Sequence, residues 1–504
     1  MRGKIKHIIL FFLLACTLSP LRAAGQSDTV TITRTLPDYS DSIRQTVERI
    51  KKKPWIAVSE IVGLNLGVWS GDFLAGQEYA RINLHTMKDN LTKGLYWDND
   101  KLSTNLFAHP YHGGLYFASA RSNGMTFWQS LPYSLGGSLM WEFFMEREPP
   151  AINDLLATTL GGAMMGEMLF RLANSVYDDS KRGSDRLGRE ILGGILSPMT
   201  EFNRLISGKA FRVHRNSPTD YYHANPTTFS YTIGGRYISE KGHMFQGAYS
   251  VDFGFTANHG NPFEKENYQP YDWFNISMGF SFGGKQPLFS SINAVGLIFG
   301  KNIDLSHNQE MVIGVYQHFN FYDSNPVLNT GSSITPYQIA ETVSFGPGML
   351  YRWTAPDERI SFYVNSFANV VLLGASLSDH FKLLNRDYSM GQGFSINTKA
   401  LLRIKGVGEF GIKLYNLNIY TWKGYPRDLD LSTLTHEEQL YLNAQGDKGR
   451  TSLFIITPTF NFDLTPSLGL LFEQRSFIRT SNYVYYPFTS YATFDARLAL
   501  RYKF

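Results

Sequence analysis

The chain has 504 residues and is close to charge balance, with 47 lysines and arginines against 43 acidic residues. That balance excludes the basic face a nucleic-acid partner requires. The single cysteine, Cys16, lies in the leader described below, so the mature domains have no internal disulfide. Length implies two or three domains, and 37 Phe and 29 Tyr beside 45 Gly suit a barrel with aromatic girdles and tight turns.

The first 25 residues read as a signal peptide. Arg2, Lys4 and Lys6 precede an apolar core from Ile8 to Leu14, and Ala23 and Gly25 have the spacing a leader peptidase prefers. Leu13-Leu14-Ala15-Cys16 also resembles a lipoprotein cleavage site, which would leave a lipidated Cys16; an anchored barrel gives that less purpose. A polar segment from 26 to 54 follows, with a short solvated helix expected over Asp41 to Lys53.

From residue 55 to 210 the texture is helical. Ile56 to Leu74, Thr126 to Phe144, Asp154 to Leu172 and Arg189 to Ile206 are apolar stretches of helix length, punctuated by Pro132, Pro149-Pro150 and Pro198. Thr158, Gly162 and Gly166 recur every four residues, which lets helix backbones approach closely. The expectation is a small-residue-rich helical domain, either periplasmic or nestled against a barrel.

From 225 to 504 the period becomes two. Phe229, Tyr231, Ile233, Gly235 and Tyr237 alternate with polar or small residues, and the pattern recurs through Phe274 to Phe282. At the end of the chain Phe494, Ala496, Leu498, Leu500, Tyr502 and Phe504 make one face, while Asp495, Arg497, Arg501 and Lys503 lie on the other. Charges at that density belong in a wet lumen, with the apolar face on lipid. The terminal Phe resembles the signal read by the barrel-assembly machinery of Gram-negative outer membranes. The predicted fold is therefore α+β and multidomain, with a helical domain followed by an antiparallel transmembrane β-barrel of about 12 strands.

With the helical domain on the periplasmic side, connections after even-numbered strands face inward. These are mostly short, as at Ala355 to Glu358, Lys405 to Gly408 and Thr465 to Ser467. Outward ones are long, as at Tyr322 to Pro336, Leu377 to Asp387 and Lys423 to Arg450. One breaks the rule: Asn258 to Tyr271 is long where a short turn is expected, so either a strand is miscounted or the segment packs on the helical domain.

The densest local text is Asn105-Leu106-Phe107-Ala108-His109-Pro110, followed by Tyr116, Arg121, Trp141-Glu142, Asp154 and Gly166-Glu167. On these residues, over roughly 95 to 205, the chain resembles an uncharacterised bacterial family, the domain of unknown function DUF3943, which is often attached to outer-membrane barrels. The resemblance brings no activity with it. His109, Glu142 and Asp154 are the candidate catalytic residues, a carboxylate and imidazole set suited to proton transfer or to a zinc or iron ion. Asn105, Arg121 and Glu167 are candidate ligand-binding residues, with Arg121 holding an anionic head group. The same residues also read structurally: Asp154 as a helix N-cap, His109 in a turn, Glu146 at a solvated helix end, and Arg121 paired with Glu142 or Glu167. No His-Glu-x-x-His motif is present, and the Gly-x-Ser-x-Gly string at Gly279 to Gly283 ends a predicted strand and makes no strand-to-helix elbow, so the cofactor is left unnamed. Two functions follow: an envelope barrel with a structural, channel or gating role, and a membrane-associated enzyme acting on lipid or another envelope substrate. The expected partners are outer-membrane lipid and the barrel-assembly machinery, and no nucleic acid.

Overall fold

The computed structural model describes residues 51–213, 225–240, 245–284, 286–326, 335–384 and 386–504. The leader and most of the polar segment lie outside the described residues. Two units follow one another, an N-terminal helical region and a closed barrel of 12 antiparallel strands.

The helices are α1 (Pro54–Leu74), α2 (Leu84–Thr92), α3 (His109–Ser122), α4 (Phe127–Phe144), α5 (Ile152–Leu156), α6 (Gly162–Val176), α7 (Gly183–Leu196) and α8 (Pro198–Ile206). Thr126 caps α4, with Gln129 completing a reciprocal capping box. Pro132 does not interrupt α4. It falls in the second turn, where its missing N–H removes a single bond near the exposed Trp128. The stretch from Arg189 to Ile206 divides into two helices, because Ser197 leaves the helical region just before Pro198.

The strands are β1 (Thr227–Glu240), β2 (Ala248–His259), β3 (Phe274–Phe282), β4 (Phe289–Ser306), β5 (Gln309–Asp323), β6 (Gln338–Thr354), β7 (Ile360–Leu377), β8 (Tyr388–Ile404), β9 (Gly408–Thr421), β10 (Gly449–Asp463), β11 (Leu468–Tyr483) and β12 (Thr489–Lys503). Each pairs with its neighbours in sequence, and β1 closes on β12 with Arg236 opposite Arg497. As the sequence suggests, connections after even-numbered strands are short except that between β2 and β3, and several after odd-numbered strands are long.

Register fixes which side chains point inward. Asp495 lies opposite Ile238 and beside Arg236, and the same parity carries inward through Asp252, Ser281, Asn320, Glu341, Ser395, Tyr415 and Phe477. The lumen is filled by these side chains. Arg236 donates to Asp495 at 3.0 Å and to Ser281 at 2.7 Å. Tyr337, from the β5–β6 connection, stacks on Phe477 of β11 at 4.2 Å. Lys413 of β9 reaches Asn293 of β4 at 3.1 Å, and Arg475 of β11 lies over the Tyr322 ring of β5 at 5.9 Å. These contacts join opposite walls. A second layer, including Ile339, Val371, Leu417, Ile455 and Phe477, makes a buried apolar cluster inside the barrel.

Outward positions divide around the circumference. On β9 to β12 and β1 they are exposed, as at Ile412, Phe472, Leu498 (55%) and Ile233 (53%). On β3 to β8 the same parity is buried over the half toward the long connections, as at Ile276, Ile292, Phe319 (2%), Ala340, Ala375 and Met390, and exposed toward the short turns, as at Ile313, Val370 and Ile396. The helical region covers this side, and its apolar residues share one core with these strand positions. Phe107 stacks on Phe289 at 4.6 Å, and Gln317 donates to the Leu160 carbonyl at 2.9 Å.

The helical bundle runs along the wall. At one end Arg171 reaches Asp272 at 3.4 Å and the Pro270 carbonyl at 2.7 Å in the β2–β3 connection. The long connection at Asn258 to Tyr271 is thus a docking segment, and part of it pairs with β4 through Asn267 and Lys301. At the other end Arg386, between β7 and β8, donates to the Asp98 carbonyl at 2.6 Å, and Asn99 donates to the Gln439 carbonyl at 3.1 Å between β9 and β10. Of the two placements the sequence leaves open, the helices take the one against the barrel and extend to its long-loop end.

Replacing Asp495 by Leu leaves the buried Arg236 without its acidic partner. The expected cost is about 3–5 kcal/mol, read as a lower denaturant midpoint for tryptophan fluorescence in detergent micelles.

Candidate functional site

The helical bundle is organised by a contact between backbones. A Cβ on Gly113 of α3 would lie 1.7 Å from the Thr158 carbonyl oxygen, and one on Gly162 of α6 would lie 2.6 Å from the Gly113 carbonyl carbon. Only glycine permits this crossing. Ser134 of α4 reinforces it from a third side, with its hydroxyl 3.2 Å from the Gly113 oxygen and 3.1 Å from the Thr158 oxygen. The repeat of Thr158, Gly162 and Gly166 therefore has a partner face, supplied by Gly113 and Gly114.

One helical turn from this crossing stand His109, four residues before Gly113, and Asp154, four residues before Thr158. Both are flanked by π-helical turns, Thr104–Ala108 before His109 and Ala157–Gly161 shortly after Asp154. Such turns widen a helix locally and are frequent where side chains are positioned for function. Glu142 enters from α4. Ligand-capable atoms of His109, Glu142 and Asp154 all lie within 4.8 Å of one another. His109 Nε2 is 3.6 Å from Asp154 Oδ1. The structure therefore brings together the three residues singled out as catalytic candidates.

Each is held by a neighbour. The Ala151 N–H donates to Glu142 Oε2 at 2.9 Å, Asn153 Nδ2 donates to Asp154 Oδ1 at 2.7 Å, and Thr158 Oγ1 lies 3.4 Å from His109 Nδ1. Asn105 belongs to the same network. Its Nδ2 donates to Asp98 and, at 2.9 Å, to the Tyr388 hydroxyl of β8, while Asn153 also reaches Asp98 at 3.3 Å. In the connection that follows α4, burial raises the Glu148 carboxyl above its usual range.

Arg121 and Glu167 lie elsewhere. Twelve residues along α3, Arg121 is about 18 Å from His109 by helical rise. It grips Glu167 through two bonds, Nε to Oε2 at 2.6 Å and Nη2 to Oε1 at 3.1 Å. Arg171 takes the same carboxylate at 2.7 Å, and Glu167 is wholly buried. The partner of Arg121 is thus Glu167, and this ion cluster ties α3, α6 and the β2–β3 connection together. An anionic head group at the His109 cluster does not meet Arg121.

The structural alternatives also change. Asp154 is the third residue of α5, whose N-cap is Ala151. His109 opens α3. Glu146 accepts from Trp141 Nε1, and its carbonyl accepts from Asn90 at 2.9 Å, so this helix end is tied down. Sequence reasoning missed Asp98, Asn153 as an anchor, and Tyr388. Asp98 lies in the acidic run Asp98-Asn99-Asp100 just ahead of the motif, a signal that was available. Tyr388 comes from the barrel and gives no local signal.

Residues 94–199 match the model of a domain of unknown function, DUF3943. In sequence, no curated protein matches the chain. Among solved structures, the chain is similar to the NanC porin, with 11% identity, a TM-score of 0.25, and coverage of 54% of this chain and 100% of that one. It is also similar to OprD of Pseudomonas aeruginosa, at 10% identity, a TM-score of 0.23 and coverage of 55% and 95%. For the Acinetobacter baumannii outer membrane protein Omp33 the values are 8%, 0.22, 55% and 99%.

Substituting Gly113 by Val forces α3 and α6 apart at the Thr158 carbonyl. Overpacking of this kind costs about 1–3 kcal/mol. The expected result is a lower midpoint in helical circular dichroism with the barrel's strand signal retained.

Proposed function

We propose that this chain is an outer-membrane barrel that does not conduct, and that it serves as a scaffold holding the helical domain in the bilayer against its lipid-facing wall. The observation that carries this reading is the division of the outer wall. Positions of one parity are mostly apolar, and over the long-loop half of β3 to β8 they meet helices where they would otherwise meet lipid.

The outer surface of the bundle continues the apolar belt. Trp128, Leu135 and Leu139 lie on one face of α4, Trp55, Leu66 and Phe73 on α1, and Phe202 and Leu205 on α8, all exposed. Among the described residues no helix is long and apolar enough to cross a membrane alone. Against a barrel wall a helix needs apolar residues only on its lipid side, since its polar and small residues face protein. Outer-membrane lipid is the partner of this surface. The C-terminal strand β12, followed by Phe504, is the part offered to the barrel-assembly machinery.

Gating by the helical domain is disfavoured by its place outside the lumen. Conduction is disfavoured by the hydrogen bond, cation–π contact and aromatic stack that cross the lumen. If the short connections face the periplasm, the bundle starts and ends at the periplasmic side, and the His109 cluster lies toward the outer leaflet. A second reading, an enzyme acting on an envelope lipid, is favoured by the convergence of His109, Glu142 and Asp154.

Two measurements test the scaffold. Reconstituted in planar bilayers, the full-length protein is expected to give no steady conductance; reproducible unitary currents would overturn the closed lumen. A fluorophore attached through Leu135→Cys is expected to be quenched by lipids with brominated chains and to react slowly with water-soluble maleimide. Labelling as fast as at Asp357→Cys, in an exposed turn, would remove the helices from the bilayer.

A further inference from the structure

We infer that His109, Glu142 and Asp154 bind one divalent transition-metal ion, of the zinc, manganese or iron class, at the long-loop end of the helical bundle. The inference stands on the geometry of the cluster and does not depend on whether the barrel conducts.

Charge is the first reason. Glu142 is 1% exposed and Asp154 2%, and two ionised carboxylates buried together need a cation. Several buried carboxylates elsewhere have a guanidinium: Glu167 has Arg121 and Arg171, Glu190 has Arg204, and Asp495 has Arg236; Glu341, which lacks one, accepts hydrogen bonds from Asn320, Ser395 and Tyr415 instead. Among the described residues neither Glu142 nor Asp154 forms a salt bridge with lysine or arginine, and His109 is the sole basic side chain at Asp154. A metal ion supplies the missing charge.

Orientation is the second. Metal ligands are characteristically aligned by neighbours that bond their other atoms. Here the Ala151 N–H anchors one Glu142 oxygen and Thr158 stands beside His109 Nδ1, leaving Nε2 directed at Asp154 Oδ1, the oxygen that Asn153 also holds. Tetrahedral ligands at about 2.0–2.1 Å from zinc lie roughly 3.3 Å apart. The His109–Asp154 separation of 3.6 Å is already near that value, and a Glu142 oxygen lies within 4.8 Å of both.

A third observation comes from Asn105. It is wholly buried and sits one turn before His109, yet its Oδ1 has no hydrogen-bond partner. In a site that holds an ion with water attached, such a water is the donor this oxygen lacks. One imidazole with two carboxylates favours a transition metal over calcium or magnesium, which prefer oxygen alone. Three protein ligands also leave a coordination position open, the arrangement found in catalytic metal sites.

The test uses untagged, full-length protein in detergent micelles, stripped with chelator and titrated with Zn²⁺ or Mn²⁺ by calorimetry, with metal content read by mass spectrometry. One ion per chain is expected, with affinity at least tenfold weaker in Asp154→Asn and Glu142→Gln and unchanged in Asp357→Asn. The bound ion should also slow modification of His109 by diethylpyrocarbonate at least tenfold, a readout that needs no variant to fold. Substoichiometric uptake by the folded wild type, undiminished affinity in both isosteric variants, or His109 reactivity indifferent to metal would each overturn the site.

Discussion

Closing a sheet on itself leaves every second side chain facing out, and the whole arrangement follows from what those side chains meet. Around β9 to β12 and β1 they stand exposed as an apolar belt. Over the long-loop half of β3 to β8 they form one core with α3, α6 and the π-helical turns. A strand cannot distinguish these surroundings, because hydrocarbon chains and apolar helix faces reward the same residues. The barrel can therefore carry a helical domain on its flank without any change in strand pattern.

That flank position explains the bundle's composition. Helices packed on the outside of a barrel combine three kinds of surface here. Glycines lie where α3 and α6 cross, large apolar residues lie on the outer side of α1, α4 and α8, and buried ion pairs lie where the bundle meets a barrel connection. Arg121, Glu167, Arg171 and Asp272 form such a junction at one end. At the other, acidic and amide groups gather around His109, and the nearby Arg386 bonds the Asp98 carbonyl while forming no salt bridge among the described residues. The two ends of α3 thus differ in kind: one is a fastening, and the other is a cluster of groups with bonding capacity to spare.

Much of the fold was legible from local periodicity. Phe494 to Phe504 displayed an apolar face against a charged one, and connection lengths separated the two rims. The helix over His109 to Ser122 was hidden, because Pro110 and the glycines at 113 and 114 suppress every propensity signal while serving as its first turn and its crossing point. The meeting of His109, Glu142 and Asp154 could be guessed from residue chemistry, but the error over Arg121 shows the limit of that method. Residues of one motif were treated as one site, although twelve positions along a helix carry them to opposite ends. Tyr388 and Arg386 could not have been found at all, since their contacts with Asp100 and Asp98 exist only after a distant hairpin is placed.

The shared core has a consequence for biogenesis. Phe107, Met164 and Met168 complete their packing only against Phe319, Ala340 and Leu373, which do not form a surface until β5, β6 and β7 are zipped together. In chain order the helices come first and their docking wall second. The bundle therefore completes its packing last, after the strands have paired, so the maturation of one half of the polypeptide waits on the closure of the other.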